Sequence, residues 1–307
     1  MSRFAAIDIG TNSVLLTVAE SEGGGLKTLL DRAEITRLGR GVDASGQLSE
    51  EGIARTLDVL RTYAEEMRRL GAERVACVAT SAARDAANGP AFLARVRALG
   101  LSLEIIDGDR EAGLSFLAAR RDFGADGRPL AVLDVGGGST ELVFGAAGTE
   151  ANPSFHVSLK IGSVRLFERL VRADPPSHEE RLQIRATVDE ALAVVPAPPD
   201  NARLVGVAGT LTTLATLAQG LPTYDVERVH GAELTLADIS TLANRLWSMP
   251  LAARRQLPGL QPGRADVIGV GALIVETVLY RLRLDRVTVS DRGVRWGLLY
   301  ELAADPK

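Results

Sequence analysis

Cysteine occurs once in the 307 residues, at Cys77, and histidine only at His156, His178 and His230. A lone thiol forms no internal disulfide, and so few ligands exclude a zinc centre built on Cys and His. Lysine is nearly missing as well: Lys27, Lys160 and Lys307 leave the positive charge to arginine, a usage that genome composition explains. Charge of one sign is not in excess, since 35 basic residues face 39 acidic ones for a net charge of -4. A polycation that wraps nucleic acid is thereby excluded, and neither DNA nor RNA is an expected partner. No uninterrupted apolar run approaches the roughly 20 residues that span a bilayer, so no membrane partner is expected either. Met1-Ser2-Arg3-Phe4 runs straight into a strand pattern without a signal peptide, which makes the cytoplasm the expected location. Walker A, HExxH, GxSxG and complete GxGxxG motifs are absent, and P-loop NTPases, zincins, serine hydrolases and dinucleotide dehydrogenases recede with them.

What is present is an alternation of strand and helix patterns in a chain about twice the ordinary domain length, which predicts an α/β protein of two domains, with one large α/β barrel as the second possibility. Phe4 to Ile7, the turn from Asp8 to Ser13, and Val14 to Val18 read as a β-hairpin. Ser49 is a helix N-cap ahead of Ile53, Leu57, Leu60, Ala64 and Met67 on one face, and Gly71 ends that helix. Strands are expected at 75–79 and 103–106, and helices from Pro90 and from near Asp109. At Leu130 the opening pattern returns: an apolar strand, then DVGGGST from Asp134, then a return strand from Glu141. Two copies of strand, D-x-G-x-x-S and strand indicate a duplicated domain. A strand at 154–159, two amphipathic helices up to Val195, a Pro-rich linker at 196–200, a strand at 204–207, a helix at 211–218, a long helix at 264–282, a strand at 287–289 and a closing helix from Gly293 complete the reading.

Turns as small as Gly-Thr-Asn-Ser and Gly-Gly-Gly-Ser bare backbone N–H groups that bind phosphate oxygens. Either turn alone is equally explained by the positive φ of a tight hairpin, whereas the same pattern twice, each behind an aspartate, favours the phosphate reading. Asp8 and Asp134 would repel a phosphate beside them by roughly 4 kcal/mol, for unit charges about 4 Å apart at an effective dielectric near 20. Glu141 adds to that negative charge. A hard divalent cation between them resolves the repulsion, and Mg2+ is the expected cofactor. Arg84 and Asn88 are placed on one helical turn, where Arg84 either forks onto phosphate or pairs with Asp85 or Glu111. Gly206 to Thr210 is either an anion platform at a helix N-terminus or a close helix contact. By itself, Glu111 reads as a surface glutamate at a helix start.

The stretches AAIDIGTNS, ATSAARDAANG, DVGGGSTELV, SLKIGSVRLFE, GVAGTLTTLA and SDRGVRWG, in this order over nearly the whole chain, resemble the exopolyphosphatase and guanosine pentaphosphate phosphatase (Ppx/GppA) family of the actin, Hsp70 and sugar-kinase superfold. The resemblance implies two ribonuclease-H-like domains with a cleft between them, at 1–120 and 121–292, the closing helix of 293–307 returning to the first. It implies Asp134 and Glu141 as Mg2+ ligands and a phosphate loop at Gly136, Gly137, Gly138 and Ser139, and the charge argument adds Asp8 as a candidate ligand. Asn12, Ser13 and Arg84 map to further phosphate contacts, and Glu111 to the carboxylate that activates water. Arg110-Glu111-Ala112 carries one acid where the family often has two, so Glu111 has no neighbouring substitute. Gly209, Thr210, Lys160, Arg165 and Arg264 are candidates for holding or guiding the anionic substrate. The implied reaction is Mg2+-dependent hydrolysis of the terminal phosphoanhydride of inorganic polyphosphate. The alternative is removal of the 5′ phosphate of guanosine pentaphosphate, and more distant ones are an ATP-dependent small-molecule kinase, a non-catalytic polyphosphate or alarmone sensor, and an actin-like assembly protein. A homodimer is the family-level expectation. Longer relatives carry a further C-terminal helical domain, which this chain, ending at Lys307, is expected to lack.

Overall fold

In the computed structural model, which describes residues 2–146, 148 and 153–304, the chain divides into a first unit of Met1–Ala118 with Val294–Lys307 and a second of Ala119–Gly293. The first unit contains strands β1 (Arg3–Ile9), β2 (Ser13–Glu22), β3 (Gly25–Ile35), β4 (Arg74–Ala79) and β5 (Leu103–Ile105). They form one sheet in the order β3-β2-β1-β4-β5. β1 runs antiparallel to β2 and parallel to β4. Alternation along β1 sends Ala5, Ile7 and Ile9 to one apolar layer and Phe4 and Ala6 to another, as a central strand covered on both faces requires.

The helix Glu50–Arg69 covers one of those faces. Ser49 accepts a hydrogen bond from the Gly52 amide at 3.1 Å, Glu50 and Glu51 sit in the first turn, and Arg68 and Arg69 in the last, each matching the sign of the helix dipole. Ile53, Leu57, Leu60, Tyr63 and Met67 are its buried stripe. The other face is covered by the helix Val294–Ala304, whose Trp296 and Leu299 share a core with Phe4, Ala6 and Leu114. Residues 305–307 of the expected closing helix lie outside the described residues.

The second unit repeats the plan. Its strands are β6 (Leu130–Val135), β7 (Thr140–Gly145), β8 (Pro153–Leu159), β9 (Arg203–Val207), β10 (Glu233–Thr235) and β11 (Arg286–Val289), in the order β10-β11-β9-β6-β7-β8. β8-β7-β6-β9-β11 reproduces β3-β2-β1-β4-β5 strand for strand, and β10 is an added antiparallel edge. This is the duplication that the repeated turns predict, in the two-sheet form that the family resemblance implies. The helix Ile268–Leu282 is buried along most of its length, preceded by a short 3-10 turn at Pro262–Arg264 rather than beginning there. Among the described residues no helix is long and apolar enough to cross a membrane.

Several elements depart from the sequence reading, the edge strand β10 among them. β3 was not anticipated because it is a mostly exposed edge strand, rich in Lys, Asp, Arg and Glu, so no alternation marks it. The helix Leu236–Ser248 escaped too, although Thr235 and Asp238 form a capping box. The helix Ala208–Ala218 starts three residues earlier than expected, which puts Gly209 and Thr210 in its first turn.

Gly297 tests the packing of the closing helix. A Cβ there would lie 2.8 Å from the carbonyl carbon of Leu114, a backbone neighbour that cannot swing away. Gly297→Ala is expected to destabilise the protein by about 2 kcal/mol, the usual scale for overpacking; equilibrium urea unfolding reads this, and an unchanged midpoint would contradict the packing.

Candidate active site

In the second unit, strand register fixes the two acidic residues. β6 and β7 pair so that Asp134 lies directly opposite Glu141, and both are buried, at 7% and 1% exposure. Directly opposed residues on one sheet face sit about 5 Å apart at Cβ, so two carboxylates are forced together where water screens them little. Glu141 is oriented from the next strand: Ser158 of β8, its cross-strand partner, donates from Oγ to Glu141 Oε1 at 2.7 Å. Among the described residues no group of three or more His, Cys, Asp or Glu side chains is arranged to hold a metal ion. Two hard carboxylates that leave the rest of the coordination sphere to water and phosphate oxygen are nevertheless the donor set that Mg2+ takes.

The glycine turn follows at once. Gly136 donates to the Ser139 carbonyl at 3.1 Å, closing a hairpin with Gly137 and Gly138 at its tip. Ser139 is buried. At the far end of β6, the Val135 carbonyl accepts the Thr210 hydroxyl at 2.9 Å. Thr210 thus ties the helix Ala208–Ala218 to the glycine turn, and its hydroxyl is engaged within the protein.

Gly209 and Arg264 form a second positive feature of this unit. The Arg264 guanidinium lies so close over Gly209 that a Cβ there would be 2.5 Å from its central carbon, so a larger residue would have to displace the end of the arginine side chain. Burial pushes the guanidinium down to about 10, which leaves it charged at neutral pH. A helix N-terminus and a guanidinium beside it both favour an anion placed between them. Ala208 enters that helix with φ 69, a left-handed conformation that costs a residue with a side chain on the order of 1 kcal/mol. Lys160, after the end of β8, is exposed.

In the first unit, Asp8 is partly buried on β1, ahead of a turn in which Gly10 donates to the Ser13 carbonyl at 2.9 Å. This repeats the Gly136–Ser139 bond. Asn12 is buried within the turn and Ser13 begins β2. Thr11 and Ser81, absent from the sequence-based site, exchange a hydroxyl hydrogen bond at 2.8 Å.

Arg84 and Glu111 meet in this unit. Arg84 Nη1 donates to Glu111 Oε2 at 3.0 Å and to the Ile106 carbonyl at 2.9 Å, so the guanidinium is anchored to the end of the β5 segment while it holds the carboxylate. Glu111, at 7% exposure, is not the surface residue its position by itself suggests. Asn88, expected on one helical turn with Arg84, lies elsewhere. It stands at the N-cap position of the helix Gly89–Arg97, without a side-chain capping bond, and its amide pairs in both directions with the Leu48 backbone, at 2.8 and 2.9 Å.

The same construction recurs in known proteins. The sequence model described as the Ppx/GppA phosphatase family matches residues 17–305. The chain is 42% identical over 99% of its length, and 99% of the relative's, to a Mycobacterium tuberculosis protein named Exopolyphosphatase 2. It is 30% identical to a Photobacterium profundum protein named guanosine-5′-triphosphate,3′-diphosphate pyrophosphatase, over 97% of this chain and 59% of that one. Among solved structures, the Aquifex aeolicus Ppx/GppA protein superposes with a TM-score of 0.83 at 36% identity, covering 100% of this chain and 99% of the other. Duplicated sheets, paired glycine turns and a full-length sequence match converge: the chain belongs to the Ppx/GppA phosphatase family.

Proposed function

We propose that the protein is an exopolyphosphatase, which hydrolyses the terminal phosphoanhydride of inorganic polyphosphate and releases orthophosphate with Mg2+ as cofactor. The buried, directly opposed Asp134 and Glu141 at the root of a glycine turn carry this reading. Asp134 and Glu141 would hold the cation, with Asp8 as a further candidate ligand; when bound, it supplies charge neutralisation at the phosphoryl oxygens. Backbone N–H groups of Gly137, Gly138 and Ser139 orient the terminal phosphoryl group and stabilise the charge that develops on it. Asn12, Ser13, Lys160, Gly209 and Arg264 supply additional phosphate contacts.

Glu111 takes the proton from the attacking water as the new P–O bond forms and the bridging P–O bond breaks, so that the shortened chain leaves as a phosphate anion. Arg84 positions that carboxylate through the 3.0 Å contact. A role for Arg84 on the substrate itself requires that this ion pair be shared or exchanged. In the same reading the protein is a cytoplasmic homodimer, a state that light scattering after size exclusion measures directly.

Removal of the 5′ phosphate from guanosine pentaphosphate is the second reading, favoured by the Photobacterium relative's name. Both reactions cleave a terminal phosphoanhydride, so the same residues serve either.

Glu111→Gln is expected to retain Mg2+-dependent polyphosphate binding while phosphate release falls by about 10²- to 10⁴-fold; near-normal turnover would reject the assignment. Asp134→Asn and Glu141→Gln are each expected to weaken Mg2+ binding at least about tenfold, the scale on which metal-site substitutions act. Titration calorimetry with Mg2+ alone checks this, and unchanged affinity in both variants would remove them from the metal site. Turnover of long-chain polyphosphate and of guanosine pentaphosphate, measured side by side with Mg2+, is expected to favour polyphosphate; the reverse ranking would establish the second reading.

A further inference from the structure

The carbonyl oxygens of the glycine turn are all claimed from one direction. Gly136 O accepts the Ser163 amide at 3.0 Å and its hydroxyl at 3.2 Å, and Gly137 O accepts the amides of Val164 at 2.9 Å and Arg165 at 3.0 Å. Gly138 O accepts Arg165 Nε at 2.6 Å. These donors belong to the first turn of the helix Ser163–Leu170, whose leading amides have no partner within the helix.

A trans peptide is planar, with C=O and the following N–H pointing in opposite directions. Fixing the carbonyls of Gly136, Gly137 and Gly138 therefore turns the N–H groups of Gly137, Gly138 and Ser139 away from the helix. Among the described backbone hydrogen bonds, none of these three N–H groups is a donor. The approach needs Gly162: its backbone is extended, at φ -137, so conformation does not demand glycine, but a Cβ would sit 2.6 Å from the Gly138 carbonyl carbon.

The first unit shows the same device after its own third strand. Asn12 O accepts the amides of Thr36 at 3.1 Å and Arg37 at 2.9 Å, and Thr11 O accepts that of Gly39 at 2.8 Å. Gly39 again admits no Cβ, which would press on Thr11 and lie 2.9 Å from Ala82. In both copies the segment after the third strand holds the turn's carbonyls and so aims its amides.

We infer that Arg165 is a positioning residue for phosphoryl transfer: its side chain locks the Gly138–Ser139 peptide and directs the Ser139 N–H at substrate, instead of guiding the polyanion itself. This rests on the exopolyphosphatase reading. The difference between the two roles is measurable. A guide for the anionic chain acts more on long substrates and loses its effect at high salt. A residue that aims one amide acts equally on every chain length.

Arg165→Ala is expected to lower kcat/KM for phosphate release about tenfold or more, less than or comparable to the loss of a donor itself. The factor should be the same for tripolyphosphate and long-chain polyphosphate, with Mg2+ affinity unchanged, and millimolar guanidinium should restore part of the rate. Unchanged kcat/KM, or a loss confined to long chains and abolished by salt, would overturn the inference. Amide spectra of the 15N-labelled protein without substrate give an independent readout. The Ser139 and Gly138 resonances are expected to move in Arg165→Ala, and unmoved resonances would overturn the inference. Were wild type inert towards phosphoanhydrides, the functional reading would fall while these spectra still decided the role of Arg165 in the loop.

Discussion

Two carboxylates on neighbouring strands, Asp134 and Glu141, are held face to face with almost no exposure to solvent. Like charges across a sheet work against folding, and in a poorly screened interior the penalty rises. The sheet leaves neither residue a choice, because β6 is its central strand and β7 is registered against it over its whole length. What surrounds the pair is consistent with this constraint: a hydroxyl from β8 on one Glu141 oxygen, a turn rich in glycine immediately beyond, and Thr210 fastening the next helix to the same strand end. An arrangement unfavourable for folding becomes favourable once a hard cation and an anionic substrate share it.

The glycine turns show how the fold separates two tasks that a single loop performs poorly. A loop free enough to lack side chains is also free to disorder, and glycine increases that freedom. Here the loop's carbonyls are bound by preformed amides, and its conformation no longer depends on its own residues. Gly162 and Gly39 supply close approach instead of torsional freedom, whereas left-handed backbone is found at Arg37 and Ala208, where no glycine stands.

The sequence made some of this legible and hid the rest for physical reasons. The repeated D-x-G-x-x-S pattern between apolar strands announced both hairpins, since buried central strands and glycine turns leave strong local marks. Ser49 announced its helix because capping is local chemistry. The edge strand β3 left no mark, its residues answering to solvent instead of to a core. Glu111 could not be distinguished from a surface acid without its burial and its contact to Arg84, twenty-seven positions away. Asn88 was misplaced: its nearness to Arg84 in sequence suggested a shared helical turn, but a helix ends between them. Arg165 lay within a recognised stretch, yet only tertiary register shows that it reaches a backbone oxygen of the turn.

The first unit is discontinuous in the chain. Its sheet is encoded before residue 119, but the helix that covers one face of β1 begins only at Val294. During synthesis the chain emerges from its N-terminus at about 5–20 residues per second. The second unit is continuous and is fully extruded while Phe4 and Ala6 still await Trp296 and Leu299. The half of the protein made first is therefore the last to complete its core, and for the seconds in between one face of its central strand lacks the helix that covers it.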